Sequence, residues 1–387
     1  MSDLRPILFT AFEPSGDALA APVIAHIKAI QPDRPIVAMG GPKMAQAGAQ
    51  LIETTTGHAV MLADALAHVQ EHRRRIGVLR QWMQTHHPAA VVPTDSPAAN
   101  WATCKLARKL HPQARIIHLA APQLWAWAPW RIHKLRRLTD RVMCLLPFEP
   151  AWFSQRGVRA TFVSHPIFES PASLTETSFA QGHPRLALLP GSRASEIKRN
   201  WPTMEQAYRV LQQRHPKLVG IIAAADDARR DQLLHLMPSG LPDALEIVTG
   251  QTGQVLTWAD VSLTVSGTAT LQTAAHNTPM VVLYNVNRLS WELVGRWLIR
   301  HRPLSLPNLI SQSVGLGSVV PELMPHFGQA QPVVQALEPL LSTPQARDRQ
   351  REAFATIRQH FHNVPFAQTA GATLLGELEG ANKKTTR

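Results

Sequence analysis

The sequence predicts an α/β protein made of two doubly wound, Rossmann-like domains facing a cleft. Three observations predict it. Short apolar runs rich in Val, Ile and Leu alternate with longer mixed stretches, the pattern of parallel strands covered by helices on both faces. The alternation stops over 169–184, a stretch rich in Ser, Thr and Pro, and then restarts. The chain has 387 residues, 45% of them hydrophobic, ample for two cores. The expected organisation is a first domain over 1–168, a linker over 169–184, a second domain over 185–344 and a helical tail over 345–387.

In the first domain Pro6–Phe12, Ile36–Gly40, Ala89–Thr94, Arg115–Ala120, Arg141–Leu146 and Thr161–Ser164 read as buried strands. Between them Asp17–Ile30, Asp64–His86, Ala98–Leu110 and Arg131–Leu138 read as helices. Pro22 requires the first of these either to bend or to begin later than Asp17. The second domain offers strands at Leu186–Leu189, Val219–Ala224, Glu246–Val248, Val261–Val265 and Met280–Val286. Its helices are expected at Trp201–Arg214, near Ala228–Leu236, at Thr268–His276 and at Leu289–Arg300. Two further helical stretches lie near Pro332–Leu341 and Gln345–Phe361, and no solenoid repeat is present.

Only 17% of the residues are charged, yet the net charge is +12, which favours an anionic partner: nucleic acid, a phosphorylated ligand or an acidic membrane surface. Cys104 and Cys144 are too few for a disulfide framework or a four-cysteine zinc site, and fit a reducing cytoplasm. The 18 histidines form neither HExxH nor paired metal spacing, so no metal site is expected. The N-terminus lacks a signal-peptide core, and no run approaches the roughly 20 apolar residues of a membrane span. Absence of GxGxxG, of a Walker lysine and of GxSxG disfavours dinucleotide binding, P-loop hydrolysis and an acyl-hydrolase triad.

Three strand-to-helix turns combine glycine with hydroxyl or cationic side chains. Glu13-Pro14-Ser15-Gly16-Asp17 suits hydroxyl or phosphate recognition, although Ser15 and Asp17 could equally cap a helix. Pro190–Glu196 offers Gly191 for close backbone approach, the Ser192 hydroxyl and the Arg193 fork, while Glu196 could form a capping box. Ser266-Gly267-Thr268 again meets a helix N-terminus, where backbone amides hold an anion without metal. Two such turns in one domain point to a nucleotide diphosphate. Trp125, Trp127 and Trp130 precede Arg131, His133, Lys134, Arg136, Arg137 and Arg141, a basic and aromatic segment suited to nucleic acid or to phosphorylated lipid at an interface.

Taken together, EPSGD (13–17), MGGPKMAQAG (39–48), APQLWAWAPWR (121–131), LPFEPAWF (146–153), FVSHP (162–166), LALLPGSRASEI (186–197), VSGTATLQ (265–272), TPMVVLY (278–284), SLPNLI (305–310) and VPEL (320–323) resemble, in order, the lipid-A-disaccharide synthase family of GT-B glycosyltransferases. The resemblance implies inverting transfer of 2,3-diacylglucosamine from its UDP donor to the 6-hydroxyl of 2,3-diacylglucosamine 1-phosphate, without a cofactor. UDP would be held by Gly191, Ser192, Arg193, Ser266, Gly267, Thr268 and Gln272, with Asn308 and Glu322 near uridine or ribose. Ser15, Gly16, Asn100, Trp127 and Arg131 would face the acceptor. The family also implies a cytoplasmic protein, peripheral on the anionic inner-membrane surface, a homodimer, and a last helix that crosses back to the first domain somewhere within 345–379. No nucleic-acid-reading module accompanies the charge, so nucleic acid is not expected.

The sequence departs from the family at three acids. The family's Asp-x-Pro-Asp-Phe-Asn stretch reads Asp95-Ser96-Pro97-Ala98-Ala99-Asn100, and an alanine methyl accepts no proton. The glutamate closing the SGTATLE turn is Gln272, and the MGxxE-type segment reads Met61-Leu62-Ala63-Asp64-Ala65. Asp95 or Asp17 is therefore expected as the base. The alternatives are a diverged homologue that binds nucleotide sugar or anionic lipid without turnover, and a UDP-sugar epimerase.

Overall fold

In a computed structural model the described residues are 4–55, 65–126, 128–169, 179–292 and 303–385. The chain divides into two units, Met1–Pro166 with Val364–Arg387, and Ile167–Asn363.

The first unit is built on seven parallel strands, β1 (Ile7–Thr10), β2 (Ile36–Gly40), β3 (Gln50–Thr54), β4 (Ala90–Pro93), β5 (Arg115–Leu119), β6 (Arg141–Cys144) and β7 (Ala160–Phe162), in the order β3-β2-β1-β4-β5-β6-β7. Helices α1 (Pro14–Ile30), α2 (Pro42–Gln46), α3 (Ala65–Thr85), α4 (Pro97–Leu110), α5 (Ile132–Leu138) and α6 (Glu149–Ser154) connect them. Every residue of β1 and β4 is buried, which explains why they read as unbroken apolar runs rather than alternating ones. One face packs Phe9, Val92 and Ile117 against Val23, Ile24 and Ile27 of α1, the other packs Leu8, Val91 and Ile116 against Trp101 and Cys104 of α4.

The second unit repeats the winding with β8 (Arg185–Leu189), β9 (Val219–Ala224), β10 (Leu245–Thr249), β11 (Val261–Val265), β12 (Met280–Asn285) and β13 (Glu322–His326), in the order β10-β9-β8-β11-β12-β13. Its helices are α7 (Ala194–Arg214), α8 (Asp227–His235), α9 (Thr252–Trp258), α10 (Thr268–Ala275), the short α11 (Arg288–Ser290), α12 (Leu306–Ser313), α13 (Ala330–Ser342) and α14 (Pro344–His362). The last helix, α15 (Phe366–Thr385), returns to the first unit, where Phe366, Ala370, Leu374 and Leu378 join the α1 face of the core. Glu377 of α15 is 7% exposed and accepts from Arg141 Nε and Arg159 Nη2, both at 2.7 Å.

Several elements differ from the sequence expectation, each for a physical reason. The first helix starts at Pro14, earlier than Asp17, because proline is favoured in a first helical turn, and the helix runs on through Pro22. Likewise α7 begins at Ala194 and contains Pro202, so the expected start at Trp201 was too late. The tail expected over 345–387 is divided, since α14 belongs to the second unit and α15 to the first. The helix expected at Leu289–Arg300 and residues 170–178 of the expected linker fall largely or wholly outside the described residues.

Candidate functional site

In each sheet the winding reverses between two neighbouring strands, β1 and β4 in the first unit, β8 and β11 in the second. Connections leave in opposite directions there, so a crevice opens at the carboxyl ends of those strands, where ligands bind in such folds. Gly191–Arg193, Ser266–Thr268 and Gln272 lie at the second of these places, and Ser15, Gly16 and Asp95 at the first.

In the second unit a hollow of about 320 Å³ is lined by Gly191, Ser192, Arg193, Ser266, Gly267, Thr268 and Gln272, together with Glu196 and Thr252. Seven residues drawn from turns some 75 positions apart along the chain are thus brought to one place by the pairing of β8 with β11. The N-terminal ends of α7 and α10 both lie here, and the first amides of a helix have no acceptor within it. Gly267 has φ +139°, a conformation that side-chain-bearing residues avoid, and a Cβ there would meet open space. Gly191 has φ +117°, and a Cβ there would stand 2.7 Å from Glu196 Oε2. Arg193 is largely exposed, and its Nη1 pairs with Glu196 Oε1 at 3.0 Å. Glu196 Oε2 also accepts from the Arg193 N–H at 3.3 Å, which is the helix-capping role the sequence allowed. A negative ligand therefore meets a carboxylate that Arg193 already neutralises.

Asn308 and Glu322 lie in a different hollow of about 340 Å³, with Gln312, Ser318 and Met324. Their side chains are occupied locally. Glu322 accepts from the amides of Leu304 at 2.8 Å and Ser305 at 3.0 Å, and from Asn308 Nδ2 at 3.2 Å. Asn308, 1% exposed, accepts through Oδ1 from the amides of Val319 and Val320. The SLPN and VPEL segments are thus fastened to each other, and the structure does not bring these two residues into the first hollow.

In the first unit Asp95 follows β4, with its amide bonded to Leu119 O at 3.0 Å and φ +53°. Ser96 is also left-handed, at φ +33°. Among the described residues seven non-glycine residues have positive φ, and five of them (Asp95, Ser96, Ala120, Ala128 and Ser164) stand at the carboxyl edge of this one sheet. Such strain persists only where the surroundings over-determine it, and it gathers at functional sites. Ser15 Oγ donates to Asp95 Oδ2 at 2.6 Å. Gly16 packs beneath: a Cβ there would stand 2.9 Å from Ala11 Cβ, 3.1 Å from Thr94 O and 3.5 Å from Asp95 Cβ.

Two expectations are corrected here. Asp17 is 3% exposed and its oxygens accept from three amides, Gly41 and Met44 at 3.0 Å and Lys43 at 3.1 Å. It fastens the start of α2 and is no candidate base. Asn100 is fully buried and does not face an acceptor. It takes the Thr10 hydroxyl at 2.7 Å and donates to Thr94 O at 3.1 Å and Asp95 O at 2.9 Å, so it braces the strained loop from below. Trp127 and the Met61–Asp64 segment lie outside the described residues. Arg131 ends a 3-10 turn, Pro129–Arg131, that leads into α5.

Sequence reasoning missed two histidines. Burial holds His118 down to about 4 and His165 down to about 4, and in both the negative charge of Asp95 opposes that shift. Both imidazoles are therefore neutral at pH 7 beside the carboxylate. Their position, His118 near the end of the expected strand Arg115–Ala120 and His165 just after the expected strand Thr161–Ser164, was the available signal. Among the described residues no three His, Cys, Asp or Glu side chains gather as a metal site would require.

Two parallel sheets, each opening a crevice at its switch point, define the GT-B class of α/β proteins. The UDP-GlcNAc 2-epimerase from Neisseria meningitidis bound to UDP-GlcNAc shares the fold, with a TM-score of 0.65 at 12% identity over 96% of this chain and 99% of that one. The chain belongs to the lipid-A-disaccharide synthetase family of glycosyltransferases, whose model matches residues 7–371. The lipid-A-disaccharide synthase of Albidiferax ferrireducens is 32% identical over 86% of either chain, and that of Nitrosococcus oceani 31% identical over 99% of either.

Proposed function

We propose that the protein is a lipid-A-disaccharide synthase, transferring 2,3-diacylglucosamine from its UDP donor to the 6-hydroxyl of 2,3-diacylglucosamine 1-phosphate. The observation that carries this reading is the assembly of Gly191, Ser192, Arg193, Ser266, Gly267, Thr268 and Gln272 around one hollow at the β8/β11 switch point. There the diphosphate takes the amides at the starts of α7 and α10 and the Arg193 fork, whose partner Glu196 it displaces. Gln272 serves the ribose without charge. Asn308 and Glu322 shape the uridine side through the SLPN–VPEL clasp rather than by free side chains.

In the single displacement that inversion requires, the acceptor 6-oxygen bonds to the donor's anomeric carbon. The bond from that carbon to the diphosphate breaks, and UDP leaves with the electron pair. Asp95 takes the proton of the attacking hydroxyl, the task Ala98 is unfit for. Ser15 holds one carboxylate oxygen and leaves the other for the substrate. Neutral His118 and His165 add no cation that would weaken the base.

The acyl chains place the substrates at an anionic membrane. No helix among the described residues is long and apolar enough to cross one. Trp130, 62% exposed, with exposed His133, Arg136 and Arg137 on the same segment, supports docking through α5 on the cytoplasmic face of the inner membrane. A homodimer is proposed by analogy with the family. The deciding measurement is UDP release by purified protein with and without 2,3-diacylglucosamine 1-phosphate. Release only with acceptor supports transfer. Conversion of the donor to an isomeric UDP-sugar without acceptor, followed by NMR of the donor, supports an epimerase, and UDP-sugar binding with neither release nor conversion supports the non-catalytic homologue.

A further inference from the structure

The LPFE segment and Trp125 of the WAW segment lie in family-like stretches but hold no residue that meets UDP or the acceptor in the reading above. They follow β6 and β5, which are neighbouring parallel strands, so their turns share the sheet edge on which Asp95 stands. Glu149 joins them. Its side chain is 2% exposed, with Oε1 accepting from Trp125 Nε1–H at 3.0 Å and Oε2 accepting from the Leu146 amide at 3.0 Å. The Trp125 ring meets Phe148 edge-on, at 5.1 Å between centroids and 76° between planes. Consecutive residues of one turn thus fix the indole of the other by its ring and by its N–H.

A carboxyl group in such a place is costly to desolvate unless donors meet it on both oxygens. Burial pushes it up to about 7, against the bonds from Trp125 and Leu146. An apolar side chain would fill the same volume at lower cost, so what the acid supplies is the two acceptor positions.

We propose that Glu149 is a positioning residue for acceptor binding: through Trp125 it latches the 121–131 loop, which ends in Arg131, to the sheet edge beside Asp95. The proposal rests on the synthase reading above, since the acceptor is a substrate of that reaction.

Hydrogen–deuterium exchange over 121–131 and steady-state UDP release are to be measured for Glu149→Gln, Glu149→Ala and Trp125→Phe in the full chain. Glutamine keeps one acceptor and alanine neither, so exchange should quicken about tenfold in the first and more in the second. Trp125→Phe removes the N–H together with part of the ring that packs on Phe148, and should quicken exchange at least as much as Glu149→Gln. The acceptor KM should rise about tenfold in the same order, with the donor KM and the kcat at saturation within twofold of wild type. Unchanged exchange in all three variants overturns the latch. Donor and acceptor KM rising together overturns its service to the acceptor, as a merely structural residue would affect both. Should the Glu149 variants fail to fold, Trp125→Phe decides by the same two readouts. Should wild type release no UDP with acceptor, the synthase reading and the acceptor role fall together, and the exchange data still decide the latch.

Discussion

Changing Gly16 to Ala tests whether the Asp95 loop is the reacting edge of the first unit. The new methyl would stand 2.9 Å from Ala11 Cβ and 3.1 Å from Thr94 O, atoms fixed to the ends of β1 and β4 with no flexible tip to yield. Overpacking of this kind costs about 1–3 kcal/mol. Gly16 lies in the first turn of α1, where alanine recovers up to about 1 kcal/mol of helix propensity. The net loss is therefore about 0–3 kcal/mol, a fall in Tm of no more than about 12 °C for a unit of this size. The displaced group is the Asp95 loop, and a misplacement near 1 Å costs about a hundredfold in rate. The variant should thus stay folded by circular dichroism, bind UDP as wild type does, and release UDP about a hundredfold more slowly. Wild-type turnover with a lowered Tm would refute the placement of the base at this edge. A raised Tm would refute the packing argument itself.

Asp95→Asn should reduce kcat by about 10²–10⁴ with the Kd for UDP unchanged, and undiminished turnover would remove Asp95 as the base. Arg193→Ala leaves Glu196 facing the diphosphate without its partner, so UDP affinity measured by calorimetry should fall by more than tenfold. Adding Glu196→Gln should restore part of that loss. Stability should carry a pH signature from Glu149, because its folded value of about 7 lies above the unfolded 4.5. Its contribution is fully present below about pH 4.5 and is lost as the pH rises through 7, worth at most about 3 kcal/mol. The Cys144 thiol, itself pushed up by burial and by the Glu149 charge, stays protonated throughout and does not mask the effect. On going from pH 5 to pH 8, urea unfolding should therefore show Glu149→Gln gaining more stability than wild type, because the gain that neutral His118 and His165 give both proteins is no longer offset by the Glu149 loss.

Fully buried strands announced themselves in the sequence: Ile36–Gly40 and Val261–Val265 have the expected ends because their apolar runs have the same ends. Two of the four edge strands did not. β3 is half-exposed and reads QLIET, and β13 reads ELMPH with a proline inside, so neither forms an apolar run. The donor hollow was legible because glycine, hydroxyl and arginine cluster within short turns. The braces around Asp95 were not, since Thr10 and Asn100 are 90 positions apart and only the pairing of β1 with β4 brings them within bonding distance. Asp17 misled for a related reason. A carboxylate beside glycine and serine looks like chemistry, and only the fold shows three amides of another segment already bound to it.

The return of α15 to the first unit makes that unit discontinuous along the chain. Its apolar core includes Phe366, Ala370, Leu374 and Leu378, which leave the ribosome only after the entire second unit. During synthesis Val23, Ile24 and Ile27 of α1 must therefore wait without their covering helix, while the second unit, continuous over Ile167–Asn363, has everything it needs to fold first. A nascent or prematurely terminated chain ending before Val364 would present a greasy helix face to chaperones and proteases, so chains cut short near the end should be cleared in the cell rather than accumulate as a half-working enzyme.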